Sequence, residues 1–126
     1  MSIRASLAWA WTALILGLCW FPRSMMQRSE TGPDPFPIPH LDKLVHFALF
    51  LGFAWLWARV GGDRPLRVLL AGVALAAISE LGQMAPIVNR DAGLADGLAD
   101  VAGAVAGLGA YLMIRRARRG RSAPIA

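Results

Sequence analysis

Residues 66–85, LRVLLAGVALAAISELGQMA, decide the class of fold. From Val68 to Ile78 the stretch carries no polar side chain, and at about 1.5 Å per residue its length matches the roughly 30 Å hydrocarbon core of a bilayer. Glu80 and Gln83 then appear in its last turns, before Pro86 stops the helix by removing a donor. The whole chain agrees with a membrane setting. Of its 126 residues 56% are apolar and 17% charged, where a soluble domain carries about a quarter charged.

Working outward, the run before it, Leu44 to Ala58, has His46 as its polar residue and ends at Arg59, Gly61, Gly62, Asp63, Arg64 and Pro65, a turn-and-stop cluster. Earlier still, Ala5 to Phe21 follows Arg4 without a charge. No small-x-small cleavage site follows it, so an uncleaved first helix is expected rather than a signal peptide. Between these two runs, Arg23 to His40 is rich in polar residues and holds Pro33, Pro35, Pro37 and Pro39, which marks a loop. A last apolar run goes from about Leu94 to Ile114 and leads into RRARRGR.

The expected architecture is all-α: a single domain over 1–126, built as an up-and-down bundle of four transmembrane helices. The spans are placed at about 5–21, 41–58, 66–85 and 96–114, with a basic tail at 115–126. Basic residues assign the sides, because cytoplasmic loops carry the excess of Lys and Arg. With both termini inside, nine of the 13 basic residues are cytoplasmic, and Arg23, Arg28, Lys43 and Arg90 lie outside. The expected location is therefore the inner (plasma) membrane, with membrane lipids as partners. The pI near 11.0 reflects this topology and the juxtamembrane tail, and no nucleic-acid partner is expected. One cysteine, Cys19, excludes an internal disulfide and a cysteine-based zinc site. Trp20 and Phe21, with Trp55 and Trp57 towards the other side, are expected as interfacial belts.

The candidate site comes from depth. His46 lies roughly 7 Å below the outer end of its helix, Glu80 at roughly the same depth, and Asp100 about 6 Å along the last helix. Ionisable groups inside a membrane are costly to expose to lipid, so these three should face inward and one another. Helical spacing puts Asp42, Lys43 and His46 on one face, Glu80 and Gln83 on another, and Asp96 and Asp100 on a third. That third face continues through Gly103 and Gly107, a GxxxG spacing that admits a close neighbour. Each residue also has a plain structural role available. Asp96 suits a helix start, Lys43 can snorkel, His46 can bond a carbonyl, and Gln83 can join helices.

These residues, in this order, resemble the VanZ-like family of small bacterial membrane proteins, named after a protein linked to resistance against the glycopeptide teicoplanin. The resemblance covers roughly residues 42–107. It rests on the DKLVHF run (Asp42, Lys43, His46, Phe47), the Glu80 and Gln83 pair, Arg90, Asp96 with a polar residue four later, and Gly103 with Gly107. The chain has Asp100 where the family often has asparagine, and Val88 and Asn89 before Arg90 where the family often has Pro-Gly. The resemblance implies a multi-pass protein of the cell envelope.

Three functions fit this pattern. In the first, Lys43, His46, Glu80, Gln83, Arg90, Asp96 and Asp100 form a ligand site near the outer leaflet, with the two cations taking an anionic lipid headgroup or peptidoglycan-precursor phosphate. In the second, an intramembrane enzyme acts on a lipid-linked substrate, with Glu80 or Asp100 as general acid or base and His46 carrying the proton. In the third, the polar cluster only holds a helper subunit together. No H-E-x-x-H, G-x-S-x-G or phosphate-cradling loop occurs, which weighs against the enzyme; no cofactor and no resident metal are assigned, although His46, Glu80 and Asp100 are suitable ligand types for a divalent ion.

Overall fold

A computed structural model describes residues 1–22, 41–61, 64–88 and 93–121. They form α1 (Ile3–Cys19), α2 (Leu41–Val60), α3 (Pro65–Gln83) and α4 (Leu94–Arg121). The described residues are thus all-helical outside their turns. Three helices, α2, α3 and α4, are long and apolar enough to cross a membrane, and α1 is a shorter apolar helix of 17 residues. Large side chains such as Leu7, Leu70, Leu81 and Leu98 are exposed on the outside, as expected where lipid replaces water.

Local chemistry sets the ends. Ser2 caps α1 by accepting from the Ala5 N–H (3.3 Å), and Pro65 opens α3 at a position where its missing N–H costs nothing. α4 differs from expectation at both ends. It starts two residues earlier, at Leu94, and runs on through Arg121, so residues 115–121 of the expected tail continue the helix. Arg118, Arg119 and Arg121 in its last turn complement the negative end of the helix dipole.

Packing is closest between α2 and α4, and glycine is the reason. A Cβ on Gly103 would collide with the Phe47 carbonyl, and one on Gly107 with the Leu51 carbonyl. The two backbones therefore touch along the GxxxG face, which is how membrane helices gain van der Waals contact without a hydrophobic driving force. α3 joins this pair through Gly72, which faces the Ala104 methyl and the Phe53 ring. The core combines small, aromatic and branched side chains: Ile15, Phe50, Ala54 and Ala104 are fully buried, with Phe53, Ala58, Ala76 and Leu75 close to it.

α1 is fastened by indoles. Trp11 Nε1 donates to the Leu49 carbonyl of α2 (2.8 Å), and its ring fills the space over Gly52. Trp57 Nε1 donates to Thr12 Oγ1 (3.1 Å), which in turn donates to the Ala8 carbonyl (2.8 Å). Trp57 also stacks edge-on against Trp9, with ring centroids 5.0 Å apart. Trp20 Nε1 donates to the Ser79 carbonyl of α3 (3.3 Å), above Gly82. Trp20 and Trp57, two of the expected belt residues, also use their N–H groups between helices, because an indole donor in an apolar bundle needs an acceptor and a carbonyl or hydroxyl lies within reach.

These contacts also order the bundle. The Trp20 bond to Ser79 brings the end of α1 to the end of α3, while Glu80 Cγ lies against Gly97 near the start of α4. The beginnings of α2 and α4 thus meet the endings of α1 and α3 at one end of the molecule.

Candidate functional site

At that end, side chains from three helices converge. His46, in the second turn of α2, makes a hydrogen bond through Nδ1 to Asp100 Oδ1 of α4 at 2.8 Å. Asp100 has no exposed surface and His46 has 8%. The close α2–α4 seam explains the encounter. Gly103, three residues after Asp100, sits on the carbonyl of Phe47, the residue after His46, so the two polar side chains start from backbones in contact.

Glu80, from the last turn of α3, completes the cluster. One ligating atom from each of His46, Glu80 and Asp100 lies within 4.8 Å of the other two. Among the described residues, Glu80 Oε1 and Asp100 Oδ2 are buried and have no hydrogen-bond partner. Such atoms are rare in folded proteins, because leaving a buried polar group unmatched costs about 1–3 kcal/mol and more when it is charged.

Lys43 sits nearer solvent. Its ammonium is 3.0 Å from Asp42 Oδ2 and 3.4 Å from Asp96 Oδ1, and its side chain is 36% exposed. The contact with Asp96 is an ion pair without hydrogen-bond geometry, since Asp96 Oδ1 is also among the buried oxygens that accept no hydrogen bond. Asp96 therefore belongs to the site as well as to the first turn of α4, whose positive end favours it.

Of the other expected members, Gln83 is buried at the end of α3, with 2% exposure, but no hydrogen bond among the described residues joins it to His46, Glu80 or Asp100. Arg90 lies outside the described residues. Ser79, which the sequence did not single out, also meets the cluster, since its side chain interacts with the Asp100 carboxyl. It is fully buried beside Glu80 in the chain, and its hydroxyl donates to the Ala76 carbonyl at 2.8 Å. Its place directly before Glu80 was the available signal, because small hydroxyl residues mark helix-packing faces.

In charge terms the described cluster has three carboxyl groups, Glu80, Asp96 and Asp100, near one ammonium and one imidazole. Such a set can hold protons, a cation, or a ligand that brings donors. Comparison with protein-family models, with curated proteins and with solved structures returned no match, so the VanZ-like resemblance rests on the residues that carry it.

Proposed function

We propose that the chain is a VanZ-like multi-pass protein of the bacterial plasma membrane that binds a polar headgroup near the outer leaflet. Its four helices run up and down with both termini in the cytoplasm, an orientation supported by the nine-to-four division of its 13 basic residues. The ligand class is an anionic lipid headgroup or a phosphate-bearing envelope precursor. A link to glycopeptide resistance of the teicoplanin type follows from the resemblance alone.

The observation that carries this reading is the position of Lys43. It is a part-exposed ammonium, held by Asp42 and Asp96, above a buried polar floor that the described residues leave incomplete. A phosphate reaching Lys43 exchanges one weak, solvent-facing partner, Asp42, for a stronger one. Arg90, in the segment between α3 and α4, is the second cation of the site in this reading.

Mass spectrometry of lipids retained by protein purified from native membranes tests it. An identified anionic lipid should copurify with the wild type and be lost from Lys43→Ala and Arg90→Ala. Unchanged lipid content in both variants would refute headgroup recognition. Reporter fusions between α3 and α4 check the orientation, and a cytosolic signal there would overturn it.

A second reading is favoured by the His46–Asp100 contact at 2.8 Å. A carboxylate that fixes one ring nitrogen leaves the other to exchange protons, and Glu80 stands beside the pair as the acid or base of a reaction on a lipid-linked substrate. Turnover of such a substrate by wild type, abolished in Glu80→Gln, would establish an enzyme.

A further inference from the structure

We propose that His46, Glu80 and Asp100 form a binding site for one divalent metal ion of the Zn²⁺ or Mn²⁺ type. The inference stands on the geometry of the cluster and does not depend on which lipid, if any, the protein recognises.

Charge balance is the first argument. Two carboxylates and a neutral imidazole sum to −2, and a divalent ion brings that to zero inside an environment where net charge is expensive. Lys43 does not do this, since its partners are Asp42 and Asp96.

The second argument is the pair of buried, unmatched oxygens. Glu80 Oε1 and Asp100 Oδ2 come from different helices and belong to residues whose ligating atoms cluster within 4.8 Å together with a histidine nitrogen. Asp100 is completely buried, so no solvent supplies its second oxygen. A cation accepts electron pairs from both carboxylates at once, which no single protein donor among the described residues does.

The third argument is the donor set. One imidazole nitrogen with two carboxylate oxygens suits borderline and hard first-row ions, and neither Mg²⁺, which prefers an octahedral shell of oxygens and water, nor a thiophilic ion is favoured by it. Ligands about 2.0–2.2 Å from a tetrahedral ion stand roughly 3.4 Å apart, a separation between the 2.8 Å of the His46–Asp100 contact and the 4.8 Å that bounds the cluster, so small side-chain adjustments reach it. Three protein ligands leave a coordination position for a water or an oxygen of another molecule. On binding, the ion takes the place of the proton shared by His46 Nδ1 and Asp100 Oδ1, two atoms that already face each other at 2.8 Å.

The test uses the full chain in detergent, stripped with chelator, desalted, and titrated separately with ZnCl₂ and MnCl₂. Calorimetry and elemental analysis should find about one ion per chain, and bound Mn²⁺ should give an altered electron paramagnetic resonance spectrum. Glu80→Gln and Asp100→Asn should weaken binding on the order of 10–100-fold or more, as loss of even an outer-shell partner does. Asp42→Asn, an acid outside the cluster, should bind as wild type. Monodispersity and near-ultraviolet circular dichroism show which variants are folded. Failure of wild-type protein to bind either ion overturns the proposal with no variant needed, and so does equal binding by folded Glu80→Gln. Lipid retention is scored on the same preparations: loss of metal with lipid retained sinks this site alone, and the converse sinks headgroup recognition alone.

Discussion

Two polar regions of this bundle differ in how completely they are matched. Along the α1 seam, Trp11, Trp57 and Trp20 each place an indole N–H on an oxygen of a neighbouring helix. At the end where α2, α3 and α4 meet, acceptors outnumber donors, and three carboxylate oxygens receive no hydrogen bond from the described residues. Both regions lie among apolar helices, so both faced the same solvation penalty. The seam has the completeness of a structural joint. The carboxylate cluster is left incomplete by the described residues.

Substitutions can break this contrast. The largest effect should come from the scaffold common to both regions. Gly103→Leu forces a side chain into the Phe47 carbonyl, a backbone that has nowhere to go. Overpacking of this kind typically costs about 1–3 kcal/mol when neighbours can yield. Here the bundle should lose detergent-resistant monodispersity altogether, as read by size-exclusion chromatography.

The cluster should then behave in the opposite sense. Glu80→Gln removes the charge from a carboxylate with one buried, unmatched oxygen, so metal-stripped, lipid-free protein should be as stable as wild type or more so, by up to about 1–3 kcal/mol. Thermal unfolding in detergent reads this directly. Marked destabilisation would instead make Glu80 a structural bond, as in a helper subunit. Trp11→Phe should lower stability by about 0.5–1.5 kcal/mol, because it deletes one hydrogen bond and keeps most of the ring. A null result in the same unfolding measurement would remove the seam from the comparison. Smallest of all should be the effect of Lys43→Ala on stability, since the ammonium is part-exposed and its hydrogen-bonded partner, Asp42, faces solvent. Its unfolding curve should overlay that of wild type even where lipid retention falls.

Much of this arrangement was readable from the chain. Apolar runs bounded by Pro, Gly and Arg placed the helices, since a membrane tolerates no unmatched backbone and leaves helix as the economical solution. Counting 1.5 Å per residue put His46, Glu80 and Asp100 at a common depth, and the structure brings those three together. Depth, however, says nothing about azimuth. Gln83 shares the face of Glu80 by spacing, yet it packs without a bond to the cluster, because a helix face is wider than a hydrogen bond is long. The partners of Trp20 and Trp57 were hidden for a related reason: an interfacial indole and an interhelical one have the same sequence neighbourhood, and only the position of an acceptor on another helix separates them. The continuation of α4 through Arg121 was also missed, since a basic segment after a span looks alike whether it coils or stays helical.

The contact of Gly103 with Phe47 has a last consequence. It joins α2 and α4 within one turn of both His46 and Asp100, so these side chains are mounted on a common rigid frame. Sliding one helix along the other would have to lift a backbone out of its socket before the imidazole and carboxyl could part. Substitutions around this frame can thus alter what the two side chains meet without altering the spacing between their mounting points.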